Sequence, residues 1–147
     1  MVALSLTFTM RMGLLMVLFL LVFFTVNAQV DLARKAAATT KLTQIGEYME
    51  SKMEYGLRTI TDYTTNNTQL LSLPVLDFEY SVTLSCGNNL AIELRSGADT
   101  DVIFNEFISC TRVNASGTIY PGERCLVTKR LNSTYVSLNL VNNCELV

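Results

Sequence analysis

The stretch MRMGLLMVLFLLVFFTVNAQVDLARK, Met10 to Lys35, decides how the rest of the chain is read. From Gly13 to Val26 it carries no charge and a single hydroxyl, Thr25. Such a segment cannot sit in water as an ordinary surface helix, because each turn would expose apolar side chains on every side. Three fates are open to it: removal, solution in lipid, or packing against copies of itself.

Working outward, Leu14 to Asp62 contains no proline and only two glycines, Gly46 and Gly56. One helix over that range would be about 70 Å long at 1.5 Å per residue. Its character changes at about Asn27. Before that point it is apolar all round. After it, Leu42, Ile45, Met49, Met53, Gly56/Leu57 and Ile60 recur at steps of three and four, while Lys41, Glu47, Glu50, Lys52, Glu54 and Arg58 take the opposite side. Between the halves, Ala33, Ala36, Ala37 and Ala38 either allow close helix approach or simply favour helix. Asp62 to Pro74 reads as an exit and a loop, since Thr and Asn disfavour continuation and proline forbids it.

Beyond Pro74 the period becomes two. Phe78, Tyr80, Val82, Leu84 and Cys86 alternate with polar residues, and Leu90, Ile92 and Leu94 resume the alternation after the turn Gly87-Asn88-Asn89. Val102–Thr111 predicts a third strand. Tyr120–Leu131 and Thr134–Val141 predict a hairpin around Asn132-Ser133. The expected fold is α+β: a long N-terminal helix, apolar then amphipathic, packed on an antiparallel sheet domain of four to five strands. The implied segments are a leader at 1–13, the helix at 14–62 (apolar to 28, amphipathic from 29) and the β domain at 63–147.

Composition excludes several functions. The formal net charge is −2 and no run of Lys or Arg occurs, so nucleic acid is not an expected partner. There is no histidine, no phosphate-binding glycine loop and no Gly-x-Ser-x-Gly, so neither an enzyme nor a cofactor is expected. Asp99 and Asp101 read as a solvated turn rather than a cation site. Tyr120-Pro121-Gly122 is the one exposed-looking aromatic turn, and it reads first as a plain turn.

The four cysteines, Cys86, Cys110, Cys125 and Cys144, lack metal-ligand spacing and follow an export-type N-terminus, which points to disulfides. Four cysteines allow three pairings. A hairpin turning at Asn114–Thr118 would place Cys110 opposite Cys125 and leave Cys86 to join Cys144. Three Asn-x-Ser/Thr sequons, at Asn66, Asn114 and Asn132, fall in expected loops or turns and are candidate glycan sites on an extracellular domain.

The basic Arg11, the apolar half-helix, the amphipathic half-helix and the hairpins beginning LPVLDFEYSVTLSCGNNLAIEL together resemble an archaeal type IV pilin or pilin-like subunit. That resemblance spans almost the whole chain. It implies a class III signal peptide cut by a prepilin peptidase between Gly13 and Leu14, leaving the apolar segment on the mature protein. Leu18, fifth after the cut, stands where bacterial type IV pilins carry glutamate, which points to the archaeal branch. The implied partners are the membrane before assembly, the peptidase and pilus assembly machinery, and other copies of the chain bundled through Leu14, Leu18, Phe19, Leu21, Phe23 and Phe24 in a surface-adhesive filament. The other two fates imply a β-rich binding domain. It would be secreted by a cut between Ala28 and Gln29 of Val26-Asn27-Ala28, or held by Ala3–Val26 as a single anchor.

Overall fold

A computed structural model describes residues 2–62, 66–97, 100–132 and 134–144. Asp99 and Ser133, which the sequence places in turns, lie outside the described residues. The chain divides into two compact units, 1–37 and 38–147, and the division falls inside a single helix.

That helix, α1, runs from Val2 to Asp62 without interruption. Threonines within it return their hydroxyls to the carbonyl four residues back, Thr43 to Thr39 at 2.9 Å and Thr59 to Tyr55 at 2.8 Å, so they add no orphan donor. In the second unit its apolar stripe is buried as expected at Leu42, Ile45, Met49, Met53, Gly56 and Ile60, with Leu57 half-buried, and Ala38 joins it.

Among the described residues seven strands follow: β1 Asn66–Leu73, β2 Tyr80–Cys86, β3 Asn89–Ser96, β4 Thr100–Ser109, β5 Val113–Ile119, β6 Gly122–Arg130 and β7 Val136–Val141. They form one sheet in the order β1-β6-β7-β5-β2-β3-β4, antiparallel throughout except for the parallel β5/β7 pair. The class is therefore α+β, with a long helix on a mostly antiparallel sheet, and the sheet is larger than four or five strands. Two strands are additional: β5, which takes up the expected turn Asn114–Thr118, and the edge strand β1, in a stretch whose Asn and Thr content reads as loop. Its Leu71 and Leu73 are buried, and all eight of its residues pair with β6.

The core lies between the stripe of α1 and one face of the sheet, where Val82, Leu84, Ile92, Leu94, Ile119, Leu126 and Leu138 meet Leu42, Met49 and Met53. Two of the helix glycines, Gly46 and Gly56, mark close approaches to the sheet. A Cβ on Gly46 would stand 2.0 Å from the Phe104 ring of β4, and one on Gly56 would stand 2.8 Å from Thr128 Oγ1 of β6. Helix and sheet can meet there only because both positions lack a side chain.

Polar contacts join the β1–β2 connection to this core. Lys41 pairs with Asp77 at 3.0 Å, and that hydrogen bond holds the Asp77 carboxyl below its usual range. The Tyr80 phenol donates to the Pro74 carbonyl at 2.6 Å, and burial pushes its pKa up to about 12.

Candidate functional site: an exposed apolar helix

In the first unit every described side chain from Phe8 onward is exposed. Leu14 to Phe24 lie between 48% and 70% accessible, including Leu14, Leu18, Phe19, Leu21, Phe23 and Phe24. Soluble monomers rarely show a contiguous apolar surface of this kind without a partner to cover it.

The limits of the surface are set by charge. Arg11 precedes it and Asp31, Arg34 and Lys35 follow it, so residues 12–30 are uncharged. At 1.5 Å per residue they span about 28 Å, close to the hydrocarbon thickness of a bilayer. By length and composition the helix can cross a membrane. Thr25 donates its hydroxyl to Leu21 O at 2.7 Å, so the one hydroxyl within Gly13–Val26 brings no unsatisfied donor into an apolar medium. Phe19 stacks near Phe23, with ring centroids 6.4 Å apart, and Phe24 meets Phe23 edge-on at 6.1 Å.

Both sequence-read cleavage points fall within this helix. Gly13 has nothing within 4 Å of the position a Cβ would take, and Ala28 and Gln29 are exposed. Either cut precedes Ala38, where the second compact unit begins.

All four cysteines are oxidised, but the pairing differs from the expected one. Cys86 joins Cys110 and Cys125 joins Cys144, with Cα atoms 5.8 and 5.5 Å apart. The expected hairpin between Cys110 and Cys125 does not form, because β5 leaves β6 and pairs with β2 and β7 instead. Cys110 then directly follows β4 beside the β2–β3 turn, where its N–H donates to Asn88 O at 3.2 Å, close to Cys86. Cys125 lies opposite Val141 of β7, within reach of Cys144.

The sequons are also placed differently. Asn132 is in the β6–β7 turn as expected, whereas Asn66 begins edge strand β1 and Asn114 lies within central strand β5. Asn114 and Ser116 are the exposed alternates of buried Val113 and Ala115, a period-two pattern that turn residues nearby had obscured. Among the described residues, no group of three or more acidic or thiol side chains gathers to hold a metal.

No protein family, curated protein or solved structure matches the chain. Its architecture is nonetheless pilin-like: an exposed apolar N-terminal helix continues into an amphipathic one packed on a disulfide-bonded β-sheet. The apolar helix and the disulfides suit a secreted or membrane-associated protein.

Proposed function

We propose that this protein is a non-catalytic structural subunit of an extracellular type IV pilus-like filament of the archaeal kind. It is stored in the membrane, processed between Gly13 and Leu14, and polymerised through its apolar helix to serve surface adhesion. The observation that carries this reading is the run Leu14–Val26. It is exposed all round and belongs to the same unbroken helix whose later turns form the core of the β unit. A filament axis built of such helices leaves no backbone group unpaired and covers the aromatic and aliphatic side chains. Each of these is stabilised by about 1.5–3 kcal/mol relative to exposure in water.

One observation favours a second reading. The second compact unit starts at Ala38, so a signal-type cut after Ala28 would release it whole. A secreted β-rich binding domain would follow from that cut, and an anchored one if the apolar run stays attached without polymerising. Electron microscopy of material sheared from cells, with mass spectrometry of its N-terminus, separates the two. Filaments whose subunits begin at Leu14 support the pilin reading. A monomer beginning at Gln29 in the medium, or one recovered only in detergent, refutes it.

A further inference from the structure

The sheet of the second unit carries exposed apolar groups at both of its ends. At one end, where β2 begins and β3 and β5 finish, Val75, Phe78, Tyr120 and Pro121 line a cleft of about 670 Å³. Val75 is 81% exposed and Tyr120 56%. The Tyr120 wall is built to hold its position. The Arg124 guanidinium donates to the carbonyls of Tyr120, Pro121 and Glu123 at 3.0 Å and of Asn142 at 3.2 Å. Asn142 in turn accepts from Tyr120 N–H at 3.4 Å and donates to Thr118 O at 2.9 Å, and the Cys125–Cys144 bridge lies alongside. Of the charges at this end, Asp77 is paired with Lys41 and Arg95 with Glu93, Asp101 is a further exposed carboxylate opposite Arg95, and Arg124 keeps its positive charge while its N–H groups are held by backbone carbonyls. Glu79, which lines the cleft, and Glu123, which follows Gly122, are exposed carboxylates.

At the opposite end the β6–β7 turn presents Leu131 and Tyr135, 57% and 48% exposed. The described residues on either side of Ser133 are tied together: Asn132 Oδ1 accepts the N–H groups of Thr134 and Tyr135 at 2.8 Å, and Leu131 N–H donates to Tyr135 O at 2.9 Å. Lys129 and Arg130 end β6 beside it, with Arg130 Nε donating to Asn132 O at 3.2 Å, and the Arg112 carbonyl accepts Val136 N–H at 3.0 Å, so three exposed residues of positive charge, one of them anchored to the turn itself, surround the apolar tip.

An aromatic cleft with surplus carboxylates and an aromatic tip ringed by bases are complementary in both shape class and charge. They cannot meet within one chain, because β6 separates them by about 26 Å, eight steps at roughly 3.3 Å. We propose that the Leu131–Tyr135 turn of one copy seats in the Val75–Phe78–Tyr120 cleft of the next. The contact is heterologous, so it repeats without closing, as a filament requires. It is also small, and a small contact is weak between free molecules. It becomes effective once neighbouring copies are held together by their helices, which is why it rests on the filament reading above.

The test places a photoreactive benzoylphenylalanine at position 120 of the full-length protein. Circular dichroism and non-reducing peptide maps serve to check that the fold is kept. In sheared filaments, irradiation is expected to give a covalent dimer in which position 120 is linked to residues 129–136 of a second copy. Glu79→Lys with Glu123→Lys should lower the yield roughly tenfold, and adding Lys129→Glu with Arg130→Glu should restore it. Filaments in which position 120 links to another region, to another protein or to nothing overturn the contact and leave the filament reading standing. The 120-to-turn link in membrane copies that never form filaments keeps the contact and refutes the filament. Neither link nor filament refutes both.

Discussion

Thr128→Val is expected to stabilise the protein. Thr128 is fully buried beneath Gly56, and its Oγ1 has no hydrogen-bond partner among the described residues. The polar groups nearest it are already engaged. The Gln69 carboxamide, turned with its NH2 toward the Lys52 carbonyl and its oxygen toward the Gly56 N–H, meets them at 3.2 and 3.1 Å. A buried hydroxyl left unpaired costs about 1–3 kcal/mol, and valine keeps the shape while removing the donor. The added methyl is larger than the hydroxyl it replaces and takes back part of that gain, leaving about 1–2 kcal/mol. For a unit of this size the thermal midpoint should rise by roughly 4–8 °C, read by circular dichroism of the full chain in detergent. Gly56→Ala is the counterpart. Helix propensity alone would stabilise it by about 1 kcal/mol. The new Cβ, however, would lie 2.7 Å from the Gln69 carboxamide and 2.8 Å from Thr128 Oγ1, and only the glutamine can give way. Its midpoint should fall. A lower midpoint for Thr128→Val, or a higher one for Gly56→Ala, would refute this account of the helix–sheet contact.

Phe19→Lys should abolish membrane insertion and filaments together, since a lysine at the centre of a lipid-borne helix costs about 3 kcal/mol. The melting of the unit from Ala38 onward should be unchanged, and fractionation with calorimetry reads both. Cys144→Ser opens a bridge with a sequence separation of 19 and should cost about 3 kcal/mol in denaturant titration, in the loop-entropy model of disulfide stabilisation. Tyr80→Phe should alter the alkaline limit. Burial raises the folded-state pKa of Tyr80 from 10 to about 12, so its neutral form contributes fully below pH 10 and that contribution is lost as pH rises toward 12. The parent chain should therefore lose about 2–3 kcal/mol across that window, and the variant should not.

The periodic parts of the chain were legible because their neighbours are fixed by local geometry. The stripe Leu42–Ile60 faces one surface, so a three-and-four spacing was enough to place it. Leu84 and Ile92 face each other across a short turn, so alternation and Gly87-Asn88-Asn89 placed that hairpin. Strand order was not legible. Nothing local in Val113–Ile119 says that it joins β2 and β7 rather than folding back on β6, and the wrong disulfide pairing followed from that one step. β1 was hidden for a different reason: an edge strand needs only two buried leucines, and Asn66-Asn67-Thr68 outweighs them in any propensity reading. The cleft and the β6–β7 tip went unrecognised because they are assembled by the sheet. Arg124, two residues after Gly122, gave no sign that it would bind four carbonyls, although Tyr120-Pro121-Gly122 had been marked as an aromatic turn.

On the proposed filament reading, the exposed helix sets a limit on what can control assembly. Relative to water, covering Leu14–Val26 is strongly favourable, but a bilayer and a bundle of identical helices are both apolar media. The hydrophobic term nearly cancels between them. Backbone satisfaction cancels as well, since the helix is intact in either place and Thr25 already returns its hydroxyl to Leu21. The balance between stored and assembled states must then rest on small differences: side-chain packing along Phe19, Phe23 and Phe24, the charges at Arg11 and Asp31 that end the apolar run, and contacts between β units. Charge reversal at Glu79 and Glu123 acts only on the last of these. Such a variant should enter the membrane to the normal extent and yet shift the balance away from filament, a separation that Phe19→Lys cannot produce because it damages both states at once.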